Sequence, residues 1–196
     1  MKCFAIRSIL TLMAAAAFAV GANADDLSLT LIPASGTVYG AAGQAVGWGF
    51  TLTNSGSDWV LLDDSYYVGS ELNRYGTYSD YIVNQFYVAG PAPENTTISS
   101  PWNQSAQTGT GEFDLYASDP GGASFSGTLY IDYDVFSVDP NNPSFDPDTD
   151  FVGSGTFSDP VQVNIIPEPA SWILMSLPFA LLMLFAWRRQ AAALRP

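Results

Sequence analysis

Asp132 and Asp134, and likewise Glu112 and Asp114, are carboxylate pairs two residues apart. Paired carboxylates are the equipment of a glycoside hydrolase, one acting as acid and the other as base or nucleophile. A third acidic group, Asp146-x-Asp148-x-Asp150, closes a run that begins at Asp139. Its oxygens recur at alternate positions, which suits Ca²⁺, a hard cation that takes six to eight oxygen ligands. No other acid/base chemistry is available in quantity. The chain has no His, its single lysine is Lys2 and its single cysteine is Cys3. Triads, Schiff bases, thiolate nucleophiles and His/Cys zinc sites are therefore excluded from the segment after it.

Each of these groups also has a plain structural reading. Residues i and i+2 of a strand share one face about 7 Å apart. Asp132 and Asp134 lie on the face opposite Leu129, Ile131 and Tyr133, so they are expected to be solvated. We accordingly assign no catalytic residue and expect a protein that is not an enzyme. The Asp146 run departs from an EF-hand, with Phe151 in place of the glycine and Phe157 in place of the final Glu. That leaves a looser calcium site on Asp146, Asp148 and Asp150, or a solvated acidic loop with no cofactor. Aromatics are the remaining chemistry: Tyr66, Tyr67, Tyr75, Tyr78 and Tyr81 cluster, and Trp102 sits in a polar stretch. Such rings stack on sugars when exposed, or fill a β-protein core when buried.

The elements that must position these residues repeat with a period of two. Leu27, Leu29 and Leu31 alternate with Ser28 and Thr30; Trp48, Phe50 and Leu52 alternate with Gly49 and Thr51. Leu129, Ile131, Tyr133 and Val135 alternate with Tyr130, Asp132 and Asp134, and Val161, Val163 and Ile165 with Gln162 and Asn164. Alternation of this kind marks strands with one face on a core. It predicts strands over 26–32, 44–54, 57–63, 65–69, 80–88, 94–100, 111–117, 124–137 and 160–166, with a short one near 151–157. The fold class expected is all-β: an Ig-like antiparallel β-sandwich ectodomain over residues 25–166. This segment carries 18 acidic side chains against Arg74 alone, a net charge of −17. Such a surface repels phosphate backbones, so no nucleic-acid partner is expected.

Both ends are of different composition. Residues 1–24 run from Lys2 and Arg7 through an apolar stretch, Ile9 to Val20, to Ala22-Asn23-Ala24 before Asp25. This is the order of a signal peptide, with Ala22 and Ala24 at the positions signal peptidase reads and Asp25 as the first mature residue. At the other end Pro167-Glu168-Pro169 precedes an apolar run that ends at Trp187, followed by Arg188-Arg189. Residues 170–187 predict a single transmembrane helix of about 27 Å through the inner membrane. The arginine pair then lies on the cytoplasmic side. Two prolines keep the strip around Glu168 extended and out of helix or sheet.

The order Pro-Glu-Pro, apolar helix, Arg cluster over residues 167–196 resembles the PEP-CTERM sorting signal of Gram-negative bacteria. The resemblance implies an exosortase as partner, reading Pro167, Glu168 and Pro169 with Arg188 and Arg189 behind the helix. It also implies release to the cell surface or the exopolysaccharide matrix after transient anchoring in the inner membrane. Val46-Gly-Trp-Gly-Phe-Thr-Leu-Thr-Asn54, followed by Asp58-Trp-Val-Leu61, resembles the strand–turn–strand of bacterial Ig-like surface modules. The function expected is thus a non-enzymatic exported surface or matrix protein. The alternatives are a carbohydrate-binding module of the matrix and, less favoured, a carboxylate-dependent glycoside hydrolase.

Overall fold

The computed structural model describes residues 26–71, 73–93 and 96–167. Ala22, Ala24, Asp25, Glu168, Pro169, Arg188, Arg189 and the predicted helix 170–187 lie outside the described residues. Among the described residues, no helix is long and apolar enough to cross a membrane.

Among the described residues, ten strands form two five-stranded sheets, and the fold is all-β apart from single helical turns. The first sheet holds β1 (Leu27–Ile32), β3 (Ala45–Asn54), β5 (Gly76–Asp80), β7 (Thr97–Ser100) and β8 (Gly111–Leu115). Its order is β1-β3-β8-β5, with β7 also paired to β3. The second runs β2 (Thr37–Ala41), β10 (Phe151–Ile166), β9 (Ser124–Phe136), β4 (Trp59–Val68), β6 (Val88–Ala89). Every pairing is antiparallel except β2 on β10, which is parallel. A four-residue helix, α1 (Pro147–Asp150), sits in the connection between β9 and β10.

The inward residues of both sheets meet in one core, giving a sandwich-like arrangement. Trp48, Phe50, Leu52 and Phe113 of the first sheet and Leu62, Leu129, Ile131 and Val163 of the second are buried in it. Tyr67 of β4 meets Phe113 of β8 edge-on at 5.4 Å, and Phe113 meets Phe125 of β9 at 4.9 Å. Each such side chain contributes on the order of 1.5–3 kcal/mol by leaving water. Trp48 also donates its indole N–H to the Gly36 carbonyl at 2.9 Å. That bond ties β3 to the turn where the chain leaves the first sheet for the second.

The predicted and observed strands differ in five main places; in the first, β5 ends at Asp80, where a strand is predicted to begin. Residues 80–88 are not one strand: Asp80 accepts the Ile82 N–H at 2.8 Å and turns the chain into a 3₁₀ turn, Ile82–Asn84. The segments predicted over 57–63 and 65–69 are the single strand β4, because the Asp63-Asp64 pair is absorbed as a bulge between Leu62 and Asp64. Those predicted near 151–157 and over 160–166 are the single strand β10. Pro160 is tolerated there because its missing N–H would face an unpaired edge; β2 joins β10 only from Gln162 onward. Strand β2 was not expected at all, being five residues long with a glycine in it.

Candidate functional site

The carboxylate pair Asp132/Asp134 lies on the outward face of β9, and the register gives it company from β4. Asp64 stands directly opposite Asp132, with Asp63 in the adjacent bulge. Tyr66 and Tyr130 stack across the same two strands, their rings 5.1 Å apart and 13° from parallel. From the other side Thr156 of β10 donates its hydroxyl to Asp132. These neighbours leave Asp132 and Asp134 half-buried rather than fully solvated. Partial burial, then the repulsion of Asp132, Asp63 and Asp80, holds the Asp64 carboxyl above its ordinary range. Burial and then Asp63 and Asp132 do the same to Asp134. The arrangement is an acidic sheet face that can accept hydrogen bonds and attract cations.

Asp146, Asp148 and Asp150 lie in the loop between β9 and β10. Asp146 caps α1, its carboxylate accepting the Asp148 N–H at 3.0 Å, while Asp150 accepts the Asp146 N–H at 2.9 Å. Two of the three carboxylates therefore hold the turn itself. Among the described residues, no group of three or more acidic side chains is placed to hold a metal ion.

Glu112 and Asp114 share the outward face of β8 but not its environment. Asp114 is exposed, whereas Glu112 is 7% exposed. The cover is Trp102, brought in by residues 101–110. That segment connects β7 to β8 along one side of β3, from Ser100, opposite Phe50, to Gly111, opposite Trp48. The Trp102 indole lies on the bare backbone of Gly47, where a Cβ would collide with Nε1 and Cδ1. A Cβ at Gly49 would come within 2.8 Å of the Trp102 nitrogen and 2.6 Å of the Ser100 carbonyl. Burial pushes the Glu112 carboxyl up; Tyr81 and Trp102 beside it favour the charged form and offset part of that rise. Glu112 Oε2 and Trp102 Nε1 are both buried without a hydrogen-bond partner. The enclosure depends on that segment, and its one trace in the sequence is the pair of glycines at alternate positions of β3.

A second polar group is internal. Ser65 of β4 meets the Tyr78 hydroxyl at 2.8 Å, Asp80 at 2.6 Å and the Thr110 carbonyl at 2.7 Å, joining the two sheets. Burial raises the Tyr78 hydroxyl far above its ordinary value, so it stays protonated as a donor. Of the tyrosine cluster, Tyr67 and Tyr81 are buried and Tyr75 and Tyr78 pack against the core, while Tyr66 is 41% exposed. An open cleft of about 200 Å³ lies between β1 and β10, lined by Leu29, Leu31, Ser35 and Asp159. It is below the roughly 300–1,000 Å³ of pockets that enclose a small molecule.

Pro167 follows β10 directly and is exposed. The turn before β9 clamps the end of that strand: Gly122 donates to the Ile165 carbonyl at 2.7 Å, and the Ile165 N–H to Ala123 at 2.8 Å. Comparison of the chain with protein-family models and with curated proteins finds no match.

Proposed function

We propose that this is an exported, non-enzymatic protein of the cell surface or exopolysaccharide matrix of a Gram-negative bacterium. Its acidic ectodomain, residues 25–166, is delivered by the signal peptide 1–24 and sorted by an exosortase through residues 167–196. The observation that carries this reading is where the β body closes. The last pairing of β10 is at Ile166, and the exposed Pro167 follows it. A cut at 167–169 would break none of the strand pairings. The charge of −17 keeps such a body soluble and lets divalent cations bridge it to anionic polymers.

The sheet order supports the Ig-like form of the reading. Strands β1, β3, β7 with β8, and β5 follow the succession A, B, E, D of Ig domains, and β4, β9, β10 follow C, F, G. The small β6 and the parallel β2 extend the second sheet.

Mass spectrometry of the mature C-terminus tests the sorting step. The expected product ends near Pro167–Pro169 and lacks 170–196, and Glu168→Ala leaves the uncut form in the membrane. An intact full-length chain persisting in cells with an active exosortase overturns it. A second reading, a carbohydrate-binding module of the matrix, is favoured by the aromatic side chains on the outer sheet faces, Trp102 on one and Tyr66 with Tyr130 on the other.

A further inference from the structure

The β1, β3 and β7 part of the first sheet's outer face differs in kind from the rest of this acidic body, β8 with its exposed Asp114 included. Register places Ser28, Thr53 and Thr97 in one row across β1, β3 and β7, and Thr30, Thr51 and Ser99 in the next. All six point away from the core side chains Leu29, Leu31, Phe50 and Leu52, and none carries a charge. Neighbouring strands lie about 4.8 Å apart, and the rows about 7 Å. Thr51 bonds Ser99 at 3.1 Å and Thr53 bonds Thr97 at 3.4 Å. A hydroxyl is one donor and two acceptors, so each bonded pair keeps one donor and further acceptors for a ligand. Gly49 continues the outward face of β3 beyond Thr51, and there the half-buried Trp102 begins.

We propose that this face binds an extended, uncharged polysaccharide, its rings stacking on Trp102 and its hydroxyls meeting the two Ser/Thr rows. This deepens the carbohydrate-binding reading and rests on it. Three observations select the ligand. The rows are neutral and made of groups that both donate and accept, as sugar hydroxyls require. The body around them is strongly negative, which repels polyanions. Beside the rows, the Trp102 indole covers Glu112, more than nine-tenths buried, and sets an aromatic ring next to the hydroxyls. Here Glu112 is a positioning residue that holds the Trp102 ring against the Gly47 backbone.

The test is affinity electrophoresis of the full chain in detergent, through gels containing mixed-linkage β-glucan, galactomannan, dextran or alginate, with cellulose pull-down alongside. At least one neutral polymer should retard the protein and alginate should not. Trp102→Ala should weaken that retention about tenfold, Trp102→Phe by no more than about threefold, and Thr51→Val with Ser99→Ala several-fold. Tyr66→Ala, on the opposite face, should leave it unchanged. If Trp102→Ala does not fold, the hydroxyl double variant decides. Retention lost in Tyr66→Ala but kept in Trp102→Ala overturns the site while sparing the carbohydrate reading. No retention on any neutral polymer overturns both, and C-terminal processing, measured separately, is untouched by either result.

Discussion

The two outer faces of this molecule are built on the same alternation but differ in charge: the second is acidic, and the first is neutral over β1, β3 and β7 and carries Asp114 on β8. On the second sheet β4 and β9 turn Asp64, Asp132 and Asp134 outward around the stacked Tyr66 and Tyr130. On the first sheet β1, β3 and β7 turn out six hydroxyls. Like charges directly opposite across strands destabilise a sheet, whereas Thr–Thr and Thr–Ser pairs stabilise it. The acidic face therefore costs stability that the neutral face does not. The net charge of residues 25–166 is thus not spread evenly: the Ser/Thr rows carry none of it, and the β4–β9 face carries three carboxylates side by side.

The largest expected effect comes from the glycines that let Trp102 lie on the neutral face. Gly49→Ala drives a methyl into the backbone of Ser100, Pro101 and Trp102 and should cost about 1–3 kcal/mol, read as a lower denaturation midpoint. Gly153→Ala, in the β10 segment of the other sheet, meets nothing within 4 Å and should move the midpoint by no more than about 0.5 kcal/mol. Equal costs at the two positions would mean that the 101–110 segment is not seated on β3.

Acid comes next. The carboxyls of Asp64, Asp134, Glu112, Asp119 and Asp159 are all held above their ordinary values, burial being the first cause in each. A group with a raised folded pKa binds more protons folded than unfolded, so its stabilisation is complete below the unfolded pKa and is lost as pH rises through the folded one. The melting temperature should therefore climb as pH falls from 7 toward about 4, the reverse of the usual acid denaturation. Asp132→Asn, which keeps an acceptor for Thr156, should stabilise at pH 7 by about 0.2–1 kcal/mol. That gain should shrink at pH 4 and in molar salt. A melting temperature that falls steadily over this range would show that burial does not hold these five carboxyls above their ordinary values in the folded state.

How much of this was legible depends on whether the cause was local. Strands β1, β3 and β9 stand close to where alternation puts them, because Leu27 to Leu31, Trp48 to Leu52 and Leu129 to Val135 each carry several turns of the period-two signal. The Ser/Thr rows are written in the same segments, as Ser28-x-Thr30, Thr51-x-Thr53 and Thr97-x-Ser99. Their alignment into rows was not legible, since register across β1, β3 and β7 joins residues up to about seventy positions apart. Glu112 shows another limit: a Glu two before an Asp on a strand reads as solvated until Trp102, ten residues earlier, is folded back over it. Asp80 was hidden in another way. Its carboxylate takes the Ile82 N–H and closes β5 at the residue where the sequence reading has a strand begin.

The smallest effect concerns Asp146, and it separates the two readings of the acidic loop. Asp146→Ala removes the acceptor for the Asp148 N–H, a cap whose loss costs about 0.5–1 kcal/mol for exposed helices. Because α1 is a single exposed turn, the global midpoint should fall by less than that, while amide exchange at Asp148 and Thr149 accelerates clearly. If the carboxylates serve the turn, these changes are the same with and without millimolar Ca²⁺, and calorimetric titration yields no heat. If they hold calcium, the ion raises the melting temperature beyond an equal ionic strength of sodium, and Asp148→Asn, which leaves the Asp146 cap in place, removes that rise. The hydrogen bonds of Asp146 and Asp150 favour the first outcome, since a carboxylate oxygen already accepting a backbone N–H has less of its charge to offer a cation.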